Sequence, residues 1–438
     1  MDKYVVKNIY KKDLAEGNIE ISVRVPGSKS ITNRALLLAT LADGTSLLSG
    51  VLFSDDSRHF IDCVKELGFD IKVDEGHSVV QIAGKGGEIP LKEAKIDVGS
   101  AGTAARFMAA TLGVSNGTYH LNSSEQMKKR PMAPLINSLK ELGCEVIFDE
   151  EENHFPFTLK SNGFEKNEIE INIDSSSQFL SALMIASVLC KDDFKINVSG
   201  SHGMAYIDMT AKMMEQFGVS CKKNEESGIY FYTKARQKYV SKEYEIEPDA
   251  SAAAYFYAMC PLLGITVCVP GIHFDSLQGD VQFIRILEKM GCEANDSDKG
   301  VVLSPPKDGK YQGIDINMSA CSDQAITLAA IAPFAQTPTR ITGIGHIRLQ
   351  ESDRLSAIAN ELTKMGINVD EKDDEITIHP GKPKPSLVET YDDHRMAMGF
   401  SLIGLRAEGI VIDNPMCCKK TFENYFDKLD EVIKILCH

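Results

Sequence analysis

Ser100-Ala-Gly-Thr-Ala-Ala-Arg-Phe-Met-Ala-Ala-Thr-Leu-Gly-Val-Ser-Asn-Gly-Thr-Tyr-His-Leu-Asn-Ser123 decides the fold, because the chain writes the same sentence six times. A polar start opens an apolar, small-residue-rich helix, and a turn then leads into a β-branched strand. The other copies begin at Ser28, Ser175, Asp249, Cys321 and Asp392, and the turns fall at Gly44, Gly117, Asp193, Gly264, Thr337 and Gly409. Successive turns are 73, 76, 71, 73 and 72 residues apart. Repeats of this length exceed the ~20–50 residues of stacked solenoid units.

A second helix per unit is marked by an apolar–Gly ending before a strand, at Leu67-Gly68, Leu142-Gly143, Phe217-Gly218, Met290-Gly291 and Met365-Gly366. Glycine after the last apolar helical position is a helix stop. The sixth unit is expected to end in a helix over Phe422–Leu436. Single units are short for independent domains, and grouping them in threes gives two domains of ordinary size. The expected division is residues 28–245, with 1–27 plus 246–438 as the second domain. The first helices carry apolar or small residues on nearly every face, as over Ser181–Leu189 and Ala325–Ala332, so they are expected to be buried all round.

The ends of these helices are chemically different. Lys29, Ser30 and Arg34, then Gly102, Thr103 and Arg106, then Ser176, Ser177 and Gln178 stand at helix starts in the first half. Asp249, Asp323, Asp393, His394 and Arg395 do so in the second. Helix N-termini present unpaired N–H groups and a positive dipole end, which suits anions. Ser and Asp also serve as ordinary helix caps. Capping does not account for Lys29, Arg34, Arg106 and Arg395 in the same turns.

Composition narrows the partners. The chain of 438 residues is 43% hydrophobic and 25% charged, with 47 Lys and Arg against 62 Asp and Glu, a net charge of −15. An acidic balance argues against nucleic acid, whose binding rests on summed cations. It leaves small anions open, because distant surface charge is screened at physiological salt. The eleven cysteines lack a CxxC pair and are expected to be reduced thiols in a cytoplasmic protein. No signal peptide, membrane span or metal set is expected; Cys417 and Cys418 are expected to be buried thiols. Pro26-Gly27-Ser28-Lys29-Ser30 lacks the glycines of a nucleotide-triphosphate loop. Arg348–Arg354 is densely ionic and is expected to open a helix running to Met365, with Glu351 and Arg354 on one helical face.

Taken in order, the segments from Pro26 to Ala39, Gly99 to Arg106, Lys128 to Pro131, Ser175 to Phe179, Gln278 to Asp280, Glu351 to Leu355, Tyr391 to Met398 and Lys419 to Phe422 resemble the 5-enolpyruvylshikimate-3-phosphate synthase family. The resemblance runs from about Val23 to Phe426 and implies a two-domain inside-out α/β barrel with three βαβαββ units per domain, closing over its substrates. It implies transfer of the enolpyruvyl group of phosphoenolpyruvate to the 5-hydroxyl of shikimate 3-phosphate by a cytoplasmic monomer, without metal or organic cofactor. Carried over residue by residue, Lys29, Gly102, Arg130, Gln178, Arg354, Arg395 and Lys420 match the phosphoenolpyruvate contacts. Lys29, Ser30, Arg34, Ser176, Ser177, Gln178, Asp323, His346 and Gln350 match those of shikimate 3-phosphate. Lys29 also matches a catalytic position, Asp323 the proton acceptor and Glu351 the proton donor.

Three positions depart from the family pattern. Gln350 stands where Lys is frequent, His346 where Asn is common, and Ser201–Tyr206 is one residue short. Two other readings are an enolpyruvyl transferase acting on UDP-N-acetylglucosamine and a non-catalytic anion-binding protein of the same fold. The first family carries a Cys where this chain has Glu125, and the second would be expected to have lost Asp323 or Glu351.

Overall fold

The structure, a computed structural model, describes residues 2–9, 19–200, 203–225 and 228–437. Among them each repeat becomes one small sheet carrying two helices. In the second repeat the strand Glu93–Asp97 leads into the helix Gly102–Val114, and Asn116–Asn122 returns parallel to the first strand, with Glu93 opposite Thr118. A second helix, Ala133–Glu141, then leads into the antiparallel pair Glu145–Phe148 and Phe157–Asn162, with Phe157–Asn162 lying against Asn116–Asn122. The repeats beginning at Glu168 and Asp315 give the same order of parallel pair followed by hairpin. Alternation places the strands: in Glu168-Ile-Glu-Ile-Asn172 both isoleucines are buried and both glutamates exposed.

Three sheets are completed from far along the chain. Glu243–Glu245 supplies the parallel strand beside Asp43–Ser49, and Glu20–Ser22 does the same for Thr266–Cys268. In the sixth repeat Lys3–Val5 pairs antiparallel with Ile410–Asp413, where the other repeats have a hairpin. Two compact units result. One is Gly27–Ile246; the other joins the chain before Gly27 to the chain from Glu247 onward.

The first helices of the repeats form the core of their units. Every residue of Gly102–Val114 and of Ala325–Ile331 is buried, including Phe107, Met108 and Ile326. Burying such a side chain stabilises by about 1.5–3 kcal/mol. The second helices are amphipathic and end as expected: Gly68, Gly143, Gly218, Gly291 and Gly366 all have φ between +81° and +115°. That left-handed backbone is strained for any residue with a Cβ, which is why the same residue recurs at the same place in five repeats.

Two element boundaries differ from expectation. The last helix is Tyr425–Leu436, since the chain before it is a 3-10 turn over Pro415–Lys420. The helix expected to open in the segment Arg348–Arg354 begins only at its last residue. Gly345–Leu349 is a 3-10 turn and the α-helix is Arg354–Lys364, because the Asp353 carboxylate accepts the Ser356 N–H at 3.0 Å and caps the helix there. Glu351 therefore lies ahead of the helix. No helix of the described residues is long and apolar enough to cross a membrane.

Candidate active site

In the unit Gly27–Ile246 the cations stand at helix starts. Ser28 caps the helix Lys29–Leu41 by accepting the Ile31 N–H, and Lys29 Nζ lies 3.5 Å from Asp56 Oδ2. The Arg34 side chain runs into the helix packing, donating from Nε to Thr210 Oγ1 at 2.7 Å and from its Nη atoms to the carbonyls of Ser30 and Tyr206. Burial lowers its pKa to about 10, which still leaves it charged at neutral pH.

Arg106 and Arg130 meet over Gly102. Arg106 donates to the carbonyls of Gly102 and Pro131, at 3.1 and 2.8 Å. A methyl group on Gly102 would stand 2.5 Å from Arg130 Nη1 and 2.8 Å from Arg106 Nη1. Burial, then the Arg130 charge, hold the Arg106 guanidinium well below its ordinary pKa. Among the described residues neither arginine forms an ion pair with a carboxylate, so the pair favours an anion. Gln178 donates from Nε2 to Thr103 Oγ1 at 3.3 Å and its backbone N–H donates to Ser176 Oγ. Its buried Oε1 has no hydrogen-bond donor among the described residues, leaving an acceptor for a hydroxyl. Ser177 precedes the helix Gln178–Ser187 and packs under Gly203, whose φ is +68°. Ser201 lies outside the described residues.

The second unit gathers its ionic groups far more tightly. Asp323, in the 3-10 turn Ser322–Gln324, accepts Arg354 Nη1 at 3.0 Å on one oxygen and Arg395 Nη2 at 2.9 Å on the other. Arg354 also donates through Nε to Asp393 Oδ2 at 2.7 Å, and its Nη1 donates to the Gln350 side-chain carbonyl. Burial penalises the charged Asp393, but Arg354 overcomes this and holds its carboxyl below the usual range. Glu351 sits 2.8 Å from His394 Nδ1, 3.3 Å from Lys420 Nζ and 3.9 Å from Arg354 Nη2. The two carboxylates thus occupy different surroundings. Asp323 is held between two guanidinium cations, and Glu351 beside an imidazole and an ammonium, with the Arg354 guanidinium farther off.

Within this unit the structure brings Asp323, Glu351, Arg354, Arg395, Lys420 and Gln350 into one connected network. His346 touches it through the Ser322 hydroxyl, at 2.8 Å, and burial lowers its pKa. Arg348 faces away, tied to Asp353 at 3.0 Å and Glu371 at 2.8 Å. Helix capping does explain Asp249 and Asp393, whose side chains accept N–H groups at 2.9 Å. It does not explain Asp323.

The sequence placed Asp393 and His394 among the helix-start groups but did not reveal their partners Arg354 and Glu351, which lie far away in the chain. Ligand atoms of Glu351, Asp393 and His394 lie within 4.8 Å of one another, a spacing that can suit a divalent ion. Arg354 pairs with Glu351 and Asp393, and Lys420 with Glu351, so cations already answer these charges.

Comparison with known proteins identifies the family. A family model described as EPSP synthase (3-phosphoshikimate 1-carboxyvinyltransferase) matches residues 15–429. A 3-phosphoshikimate 1-carboxyvinyltransferase of Nostoc punctiforme is 41% identical over 417 residues, covering 95% of this chain and 97% of that protein. One from Erwinia tasmaniensis is 40% identical, covering 94% of this chain and 96% of its own. The solved EPSP synthase of Acinetobacter baumannii shares the fold with a TM-score of 0.79 at 22% identity, over 98% of this chain and 97% of that one.

Proposed function

Because the chain belongs to the EPSP synthase family, we propose that the ionic network around Asp323 and Glu351 supplies the acid–base chemistry of the family's reaction and that the arginines and lysines named below hold its anions. The reaction moves the enolpyruvyl group of phosphoenolpyruvate to the 5-hydroxyl of shikimate 3-phosphate and releases phosphate. The hydroxyl must lose a proton as its oxygen bonds to C2 of the donor. The donor's methylene carbon must gain a proton, then lose one again as the phosphate departs and the double bond reforms.

The observation that carries the assignment is the contrast between the two carboxylates. Asp323, between Arg354 and Arg395, is stabilised as an anion and takes the hydroxyl proton. Glu351, beside His394 and Lys420, gives a proton to the methylene carbon and takes it back. Lys29, Gly102, Arg130, Gln178, Arg354, Arg395 and Lys420 bind phosphoenolpyruvate. Lys29, Ser30, Arg34, Ser176, Ser177, Gln178, Asp323, His346 and Gln350 bind shikimate 3-phosphate. Each charge-assisted contact contributes ~1.5–3 kcal/mol. The enzyme works as a cytoplasmic monomer without metal or organic cofactor. Identification of the product by mass, after incubation with phosphoenolpyruvate and shikimate 3-phosphate or UDP-N-acetylglucosamine, tests the reaction: only the shikimate acceptor is expected to gain the enolpyruvyl group.

Two substitutions test the partition of contacts. Gly102→Ala would press on the flexible ends of Arg106 and Arg130, which can shift without unfolding the unit. The expected result is a KM for phosphoenolpyruvate raised about tenfold, one displaced charged contact, with melting temperature nearly unchanged. An unchanged donor KM would remove Gly102 and Arg130 from the donor site.

Gln350→Lys is expected to lower the KM for shikimate 3-phosphate several-fold, since a charged contact is worth ~1 kcal/mol more than a neutral one. Neither neighbour substitutes for that cation. Arg348 is committed to Asp353 and Glu371, and burial keeps His346 neutral at physiological pH. A raised or unchanged acceptor KM would show that the Gln350 contact with Arg354 is what the site requires.

A further inference from the structure

We propose that Asp280, acting through the Ser251 hydroxyl, is a positioning residue for Arg395 and, through Arg395, for Asp323. Four segments converge to make this chain of contacts. Asp280 lies in the 3-10 turn Gly279–Val281, Ser251 in the first turn of the helix Ala250–Leu263, Arg395 in the helix His394–Arg406, and Asp323 in the turn Ser322–Gln324. The Ser251 hydroxyl donates to Asp280 Oδ2, so the serine oxygen presents only lone pairs to Arg395 Nη2, 3.3 Å away. The same Nη2 donates to Asp323 Oδ2 at 2.9 Å. An ionised Asp280 therefore fixes the direction of the serine proton, the serine oxygen holds the guanidinium, and the guanidinium holds the carboxylate. This inference rests on the reading that Arg395 binds the donor and Asp323 takes the acceptor's proton.

The position is a poor place for a carboxylate on stability grounds alone. Asp280 is buried, and the groups facing it are the carboxylates of Asp323 and Asp249, the Arg395 guanidinium and the Cys321 thiol. Burial and then the Asp323 charge push its pKa up to about 6, against the pull of Arg395 and the Ser251 hydrogen bond. A folded pKa above the ordinary value of 3.8 means that the folded state binds this proton more tightly than the unfolded state does. Its contribution to stability is therefore lost as pH rises from 3.8 through about 6, and the full cost stands above that. A purely structural role would not place an ionised acid there.

The test uses the full-length enzyme and the substitutions Asp280→Asn, Ser251→Ala, Ser251→Thr and the Asp280→Asn/Ser251→Ala double variant. Asp280→Asn and Ser251→Ala should each raise the KM for phosphoenolpyruvate about tenfold, the size of one lost charge-oriented hydrogen bond. The double variant should be no worse than the singles, since both break one chain of contacts, and Ser251→Thr should recover most of the loss. The ratio of the Asp280→Asn donor KM to that of the wild type should fall towards one as pH drops through about 6, where the native acid also becomes neutral. The melting temperature of Asp280→Asn at mildly alkaline pH should equal or exceed that of the wild type. A lowered melting temperature with unchanged donor KM, or additive losses in the double variant, would overturn the inference. Arg395→Lys serves as the control: if it leaves the donor KM unchanged while the protein stays folded, the donor assignment of Arg395 fails, and the inference with it.

Discussion

Glu351→Gln is expected to lower kcat by roughly 10²–10⁴-fold, the range for loss of a general acid–base group, while the protein stays folded. The substitution keeps the shape of the side chain, and its one amide oxygen can still face either His394 or Lys420, which lie 2.8 and 3.3 Å from the two carboxylate oxygens. It removes the transferable proton, together with the charge and one acceptor oxygen. The methylene carbon of the donor is a weak base, and an acid fixed beside it has an advantage over one arriving from solution. KM values should change far less than kcat, because the lost interaction belongs to the transition state. Steady-state kinetics with both substrates varied, beside a thermal melt, checks this; near wild-type kcat in a folded Glu351→Gln would take Glu351 out of the proton path.

The second large effect is expected at Asp323. Asp323→Asn should lower kcat by roughly 10²–10⁴-fold, and here the KM for shikimate 3-phosphate should also rise. The amide cannot take the hydroxyl proton. It also leaves Arg354 and Arg395 without the charge that joins them, at 3.0 and 2.9 Å. Arg354 keeps its bond to the buried Asp393 at 2.7 Å, which limits the structural damage. Loss of soluble protein instead of loss of turnover would mark Asp323 as a structural bridge between the two arginines.

How much of this was legible in the sequence follows from the range of the interactions. The apolar helices and the glycines at positions 68, 143, 218, 291 and 366 are local features, each set by the residues of one helix and its stop. They expose the repeat. The three strands contributed from a distance, Lys3–Val5, Glu20–Ser22 and Glu243–Glu245, are three residues long, too short to carry an alternating pattern. Their places are set by the partners Ile410–Asp413, Thr266–Cys268 and Asp43–Ser49, remote in sequence.

The candidate site divides in the same way. Lys29 and Asp323 are lone charges, and Glu351, Arg354 and Arg395 members of ionic segments, at or just before helix starts, where charge without a packing role invites explanation. Asp393 could be read locally only as a cap, and it is one. Its bond to Arg354 spans 39 residues and needed the fold to be seen. The same holds for Ser251, 144 residues from Arg395, and for Asp280 behind it. Arg348 shows the converse: it stands in the same ionic segment as Glu351 and Arg354, and its ion pairs run to Asp353 and Glu371 instead.

Phosphate released from phosphoenolpyruvate, followed in one continuous assay for the wild type, Asp323→Asn and Glu351→Gln, tests the central claim most directly. With shikimate 3-phosphate present the wild type should release phosphate at a steady rate, and each variant should be slower by roughly 10²–10⁴-fold. Without the acceptor, or with UDP-N-acetylglucosamine in its place, none should exceed the uncatalysed rate. Wild-type release that does not depend on shikimate 3-phosphate, or undiminished release in both folded variants, would contradict the assignment of acid–base chemistry to this pair of carboxylates.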